Sequence, residues 1–296
     1  MRQRRKHWVA ALASLSGTFG ADTAKVLTAL QAEIVRDGVT ALFDHLRICG
    51  AVPECYPHDS SAEKLYAKYT DMLVSDTLKA SGLNSTVITA RADAADVQAR
   101  AKNYSLVADA KAFRLSRTAK NQKDFKIQAL DGWRNTCDYA VIVCPIYQLP
   151  NKSSQIYQQA IARNVCILSY SHLSALLALA YKETPIIAEN GLQQILEKVA
   201  QLHPSKSATD YWTGINEALI TALGKHKHLW TTEKKESLNG LEFAKQEALA
   251  DLRSERHRLL GLSHQEALDE LLKSVGIDAR MVQIERLEHG ALLGTE

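Results

Sequence analysis

No apolar stretch in these 296 residues reaches the roughly 20 that a membrane-spanning helix needs, so a soluble protein is expected. No CxxC pair occurs among the five cysteines (Cys49, Cys55, Cys137, Cys144, Cys166), and five is an odd number. A zinc ribbon and a disulfide framework are therefore disfavoured, and a reducing, cytoplasmic setting fits best. There is no internal repeat and no low-complexity tract, and 46% hydrophobic with 23% charged residues is ordinary for a globular protein. Disordered and fibrous classes drop out. Net charge is also scarce, at +3. A uniformly basic binder of polyanions would carry more, so any such contact must come from charge concentrated in one place. The start, MRQRRKHWVAALASLSGTFGADTA, imitates a secretory leader. Its apolar run is short and broken by Ser14, and Trp8, Leu12 and Leu15 suit one face of a packed amphipathic helix equally well.

The length is generous for one domain and short for two, which suits an α/β core with helical additions. Apolar residues recur at helical spacing from Ala24 to Leu46 until Gly50 and Pro53 interrupt them. A long helix is expected from Ser60 to Gly82. Short strand-like runs follow at Ser85 to Thr89, Asn103 to Lys111, Tyr139 to Cys144 and Val165 to Tyr170. With helices near Ala119 to Arg134 and Ser153 to Arg163, and a strand from Asp96 to Arg100, the order is α, β, β, β, α, β, α, β. Residues 201–238 are polar and rich in Lys and His, as an exposed connector or an extra surface helix would be. His226 and His228 should sit on that solvated surface. The part from Leu238 to Val275 reads as helical, with a capping box at Ser263 and Glu266, and is suited to packing on the core or to making a dimer. The expected organisation is one domain over 1–296: a helical portion (1–58), an α/β core (59–182) and a mainly helical portion (183–296).

What is abundant in one place is the run LVADAKAFRLSRTAKNQKDFK, Leu106 to Lys126. A strand alternates its side chains, so Asp109 and Lys111 leave one face together. Six cations (Lys111, Arg114, Arg117, Lys120, Lys123, Lys126) follow within sixteen residues against the single anion Asp124. That is the footprint of a polyanion such as DNA. Phosphodiester hydrolysis assisted by a divalent cation needs hard carboxylate oxygens at one point. Asp109 needs a companion, and a hairpin could bring Asp96, thirteen residues upstream, within reach. The Ala110 carbonyl is a further candidate ligand, and Lys111 would orient water or stabilise charge. A structural strand-end ion pair is the plain alternative for Asp109 and Lys111, but the second acid and the basic run favour a metal site. Asp93 reads as a solvated turn residue. Glu63 has a structural explanation in a capping box from Ser60, with a supporting role at the metal site as the lesser reading. Cys49, Cys55 and His58 fit no usual zinc spacing.

In Lys120, Asn121, Gln122, Lys123 and Asp124 the residue types suit the major groove, where Asn or Gln pairs with adenine and Lys donates to guanine. The alternative is a solvated helix face with a Lys120–Asp124 pair. Phe125, Ala129 and Trp133 are spaced to bury the opposite face of that helix, so Trp133 is expected in the core.

The segment LVADAKAFRLSRTAKNQKDFK, followed by ALDGWRNTCDYAVIV, resembles the catalytic region of HindIII-type restriction endonucleases. The similarity is densest from Tyr104 to Val143 and continues more loosely through SSAEKLYAK, SQIYQQAI and SHQEALDELLK. It implies the PD-(D/E)xK restriction-endonuclease-like fold, a central mixed sheet flanked by helices with helical N- and C-terminal additions. It also implies a homodimer, Mg²⁺-dependent cleavage of both strands of palindromic double-stranded DNA, 5′-phosphate ends, and a host methyltransferase that is not a stable subunit. Asp96 matches the motif's first acid, Asp109 the second and Lys111 its lysine. Asn121, Lys123 and Asp124 match the family segment that enters the major groove, which implies the site AAGCTT cut after its first adenine. Ala95 stands where the motif has proline, and the second acid is Asp where many relatives have Glu. Two rival readings are a repair or structure-specific nuclease of the same fold and a DNA-binding protein with a dead site.

Overall fold

Gly38 divides the first helical stretch. The structure, a computed structural model, describes residues 1–88, 94–117 and 122–285. Helix α1 (Arg2–Ala13) buries Arg5, Trp8 and Leu12. Helix α2 (Phe19–Asp37) stops at Gly38, whose φ of 65° is open to glycine and costly for other residues, and α3 (Val39–Leu46) restarts beyond it. The single helix expected from Ala24 to Leu46 is thus two. After the short strand β1 (Ala51–Val52), α4 (Ser61–Ala80) begins where the Ser60 hydroxyl accepts from the Glu63 amide at 3.2 Å. Every residue from Tyr69 to Leu78 is buried. A helix covered on all sides is a central strut rather than a surface element.

Next come β2 (Asn84–Val87), β3 (Val97–Arg100), β4 (Ser105–Ala110) and β5 (Phe113–Arg114), which pairs in parallel with β1. Helices α5 (Gln122–Phe125) and α6 (Ile127–Trp133) replace the one helix expected near Ala119 to Arg134. Lys126 adopts a left-handed φ of 45° between them and breaks the 3.6-residue register. Phe125 is buried as expected, but beyond Lys126 the buried residues are Ile127 and Leu130, with Ala129 and Trp133 only half-buried. Strand β6 (Tyr139–Cys144), helix α7 (Gln155–Ala162) and strand β7 (Val165–Ser169) complete the order α, β, β, β, α, β, α, β.

The main sheet runs β2-β3-β4-β6-β7, with β2/β3 and β3/β4 antiparallel and β4/β6 and β6/β7 parallel. Strands β4, β6 and β7 are buried on both faces, which is why they read as unbroken apolar runs. Both α4 and α6 pack on β4. This is the mixed sheet flanked by helices that the sequence leads one to expect.

Helices α8 (Tyr170–Lys182), α9 (Pro185–Gln201), α10 (Ala208–Leu223), α11 (His228–Leu260), α12 (His264–Val275) and α13 (Ile277–Glu285) follow. Of the two readings of residues 201–238 the helix is observed, but it is packed rather than laid on the surface. Tyr211 of α10 is buried, and its hydroxyl accepts from the Ile167 amide at 2.6 Å and donates to the Ile167 carbonyl at 3.1 Å. His226 is likewise half-buried against Glu183 at 2.5 Å, whereas His228 is exposed. None of the described helices is long and apolar enough to cross a membrane. No disulfide joins any of the five cysteines.

The chain forms two compact units, Met1–Ala248 and a second beginning at Leu249. In the first, a buried polar network holds the N-terminal helices on α4. Glu33 accepts from the Trp8 indole at 2.5 Å and from His45 Nε2 at 3.2 Å, with Arg4 beside it. Burial would raise the Glu33 carboxyl, but His45, Trp8 and Arg4 outweigh it and hold it near 2. Burial keeps His45 neutral, so its Nδ1 accepts from the Tyr69 hydroxyl at 2.5 Å. Tyr69 thereby fixes the rotation of α4 between Lys68 and Thr70. Close approach matters at Gly240 of α11, where a Cβ would lie 2.3 Å from the Arg47 carbonyl oxygen. Backbone cannot swing aside as a side chain can. Gly240→Ala is expected to cost about 1–3 kcal/mol, read as a lowered melting temperature.

Candidate active site

Strand β4 ends at Ala110, and the Lys111 backbone is held from both sides. Its amide donates to the Val143 carbonyl at 2.7 Å, and its carbonyl accepts from the Tyr170 hydroxyl at 2.9 Å. That fixes where the Lys111 side chain starts. Its ammonium forms an ion pair with Oδ2 of Asp109, on the same face two residues earlier. The pair is not aligned as a hydrogen bond, so Oδ2 is buried without a hydrogen-bond donor. Asp109 is 3% exposed, and burial pushes its carboxyl up to about 6, with Lys111 pulling down and the nearby Asp96 carboxylate pushing further up.

Asp96 reaches this point through the hairpin. Strand β3 pairs with β4 in the register Val97↔Ala108, and the Asp96 amide donates to the Ala108 carbonyl at 3.1 Å. Asp96, Asp109, Ala110 and Lys111 therefore line one cleft of about 440 Å³ at the open end of the hairpin.

Two residues that the sequence reading passed over complete the cleft. From α4, the Lys68 ammonium donates to Asp71 Oδ2 at 2.9 Å and to Asp96 Oδ1 at 3.4 Å. Asp71 is 2% exposed, and burial, reinforced by the Asp96 carboxylate, pushes its carboxyl well above the usual range despite Lys68. Three carboxylates and two ammonium groups thus face one another. A charged residue inside the buried run Tyr69–Leu78 was the available signal, because an acid is almost never fully buried without a partner or a task. Lys126 and Trp133 also line the cleft, with the Lys126 ammonium 5.6 Å from the centre of the Trp133 ring. Trp133, half-buried and packed against the core, also forms part of the wall of this site.

Glu63 lies elsewhere. Its Oε1 accepts from Arg114 at 2.9 and 3.1 Å, and its Oε2 accepts from the Asp59 amide at 2.7 Å. Arg114 also donates to the carbonyls of Pro53 (3.4 Å) and Glu54 (3.2 Å), so its guanidinium ties the β1–β5 corner to α4. Arg117 pairs with Asp124 and lies 4.4 Å from the centre of the Phe113 ring. Lys123 is exposed. Lys120, Asn121 and Asp93 lie outside the described residues. His58, Asp59 and Glu63 come within 4.8 Å of one another, but Glu63 is engaged by Arg114, and His58 and Asp59 are open to water. Cys49 is buried against the Leu46 carbonyl and joins neither Cys55 nor His58 in a ligand set among the described residues.

The donor set in the cleft fits a hard divalent cation. Carboxylate oxygens converge there, one of them buried without a hydrogen-bond donor, and among the described residues that line the cleft there is neither thiol nor imidazole. A mixed five-stranded sheet carrying acids and lysines at the open end of its central hairpin is the plan of the restriction-endonuclease-like nucleases. The model of the HindIII restriction endonuclease family matches residues 6–288. The type II restriction enzyme HindIII of Haemophilus influenzae is 33% identical over 248 residues, an alignment that covers 83% of each chain. The chain belongs to the HindIII restriction endonuclease family and is a DNA endonuclease.

Proposed function

We propose that this chain is a Mg²⁺-dependent enzyme that hydrolyses both strands of a palindromic duplex site, with AAGCTT cut after the first adenine as the favoured sequence, leaving 5′-phosphate ends. The observation that carries the reading is the convergence of Asp96, Asp109 and Lys111 in one cleft of a family member. Asp96, Asp109 and the Ala110 carbonyl would hold the cation, with Asp71 adjoining. When bound, the cation polarises the phosphoryl oxygen and lowers the pKa of the attacking water. Lys111, anchored by Val143 and Tyr170, places its ammonium beside Asp109, where it orients that water and offsets charge building on the phosphate. Cutting two strands with one such cleft per chain is most simply done by a twofold homodimer. A cognate methyltransferase would protect the host, and a cytoplasmic site of action fits cysteines that form no disulfide.

For DNA contact, the segment from Lys120 to Asp124 supplies groove-reading types, and Arg117 pairs with its Asp124. Lys123→Gln is expected to lower the slope of log affinity against log salt by about one. Arg114→Gln is expected to leave that slope unchanged and to lower the melting temperature, since its loss leaves Glu63 and two carbonyls without their donor. Fluorescence anisotropy over a salt series together with thermal melts checks both.

The deciding experiment is digestion of DNA of known sequence with Mg²⁺ or with EDTA, followed by sequencing of the ends. Discrete Mg²⁺-dependent ends at AAGCTT are expected. Discrete ends elsewhere would discard the inherited groove contacts, an unspecific or structure-dependent pattern would favour a repair nuclease, and salt-sensitive binding without scission would favour a dead site.

A further inference from the structure

Beside the cleft lies a second hollow that the endonuclease chemistry does not use. Its volume of about 570 Å³ falls within the range of small-molecule sites, and it lies between α2, α4 and the end of β2. Helix α2 turns Phe19, Leu27 and Gln31 to it, and α4 turns Lys68, Met72 and Asp76, each set spaced by multiples of four residues and so sharing one helix face. Phe19 and Leu27 are 47% and 40% exposed, which leaves an apolar wall open to water. Asp76 is the exception in this wall. It is 8% exposed, and its Oδ1 accepts from the Lys79 ammonium at 2.8 Å and from the Gln31 amide at 3.4 Å. Its Oδ2 is buried without a hydrogen-bond partner, as Oδ2 of Asp109 is in the cleft. A carboxylate oxygen left so in an apolar setting is costly, and a ligand that donates to it relieves the cost.

We infer that this hollow binds a small organic monocation, an ammonium or amidinium group on an apolar body, whose N–H donates to Asp76 Oδ2 while the body lies against Phe19, Leu27 and Met72. Charge decides for a cation over an anion. Both ammonium groups of the described wall are already bonded to carboxylates, Lys79 to Asp76 and Lys68 to Asp71 and Asp96, whereas Asp76 Oδ2 has no donor. Lys68 gives the site its consequence, because its side chain belongs to the walls of both the hollow and the cleft. A body packed on the Lys68 stem holds the ammonium on Asp71 and Asp96, the carboxylates beside which a divalent cation would stand. Occupant and cation therefore oppose each other, and by linkage each weakens the other by the same factor. That opposition rests on the metal reading above, and the binding does not.

The probe is 2-phenylethylammonium, titrated against the full chain without DNA by ligand-observed NMR, with 3-phenylpropionate as the probe of opposite charge. A Kd on the order of 0.1–1 mM is expected for so small a cation, with no comparable binding of the anion. Asp76→Asn should weaken the cation by about 10-fold or more, since the bond to it loses its charge. Ala24→Trp fills the hollow from an exposed position of α2, leaves Asp76 in place and should abolish binding, which keeps the test open if Asp76→Asn fails to fold. Saturating Ca²⁺ should weaken wild-type binding by about 5-fold or more. No binding, tighter binding of the anion, or binding that survives both substitutions overturns the proposal. The same affinity with and without bound Ca²⁺ overturns the link through Lys68. If calorimetry shows that the chain binds no Ca²⁺, the metal reading falls, and Asp76-dependent binding of the probe still upholds the site.

Discussion

Asp109→Asn is expected to abolish cleavage while leaving sequence-specific DNA binding largely intact. The amide keeps the shape of the side chain and removes one charged oxygen from the point where Asp96, Lys111 and Asp71 converge. A cation held at such a point supplies several kcal/mol of transition-state stabilisation, so the loss should be on the order of 10³-fold or more. Binding rests on residues elsewhere and should persist. The same substitution should stabilise the metal-free protein at neutral pH. Burial raises the folded-state pKa of Asp109 to about 6 from an ordinary 3.8. Between those values the folded protein binds more protons than the unfolded chain, so stability falls as pH rises through that window. At pH 7.5 the full penalty of about 3 kcal/mol is present, and Asp109→Asn removes it. Thermal melts without metal should show the variant ahead at pH 7.5 and the difference closing toward pH 4. Glu33, held near 2, contributes stability that is lost only as pH falls further. Undiminished cutting by Asp109→Asn would show that the chemistry lies elsewhere.

The meeting of Asp96, Asp109 and Lys111 was legible because it rests on two local rules. Strand alternation puts Asp109 and Lys111 on one face, and a thirteen-residue return suits a hairpin. The α, β, β, β, α, β, α, β order was legible for similar reasons, since β4, β6 and β7 are short apolar runs and β2 and β3 alternate polar and smaller apolar residues on either side of turn residues. What escaped notice depends on the third dimension. Glu63 drew attention as an acid near a helix start, but the strut α4 faces the cleft two turns later, at Lys68 and Asp71. Only packing on β4 decides which turn of a helix meets a strand end. Trp133 packs against the core as expected, but its second role in the cleft wall was not visible because the left-handed Lys126 that turns α6 gives no warning in the sequence.

Lys68 and Asp71 should respond to substitution with opposite signs, which separates a working cleft from a buried ion pair kept for structure. The Lys68 ammonium bridges Asp71 and Asp96 at 2.9 and 3.4 Å, a cation between two acids. Removing it in Lys68→Met leaves Asp71 buried and unpaired. Breaking such a pair costs 3–5 kcal/mol when both charges persist. Because Asp71 already sits well above the usual carboxylate range it can take up a proton, so a loss of about 1–3 kcal/mol is expected. Ca²⁺ should recover more of the melting temperature in Lys68→Met than in wild type, since a divalent cation can stand where the ammonium did. Asp71→Asn removes a poorly solvated charge, so the metal-free protein should melt no lower than wild type at pH 7.5. Its affinity for Ca²⁺ by calorimetry should nevertheless fall by about 10–100-fold, and its Mg²⁺-dependent cleavage should fall with it. If Asp71→Asn bound Ca²⁺ as wild type does and melted lower, the pair would be a strut of α4 and the cleft would work with Asp96 and Asp109 alone.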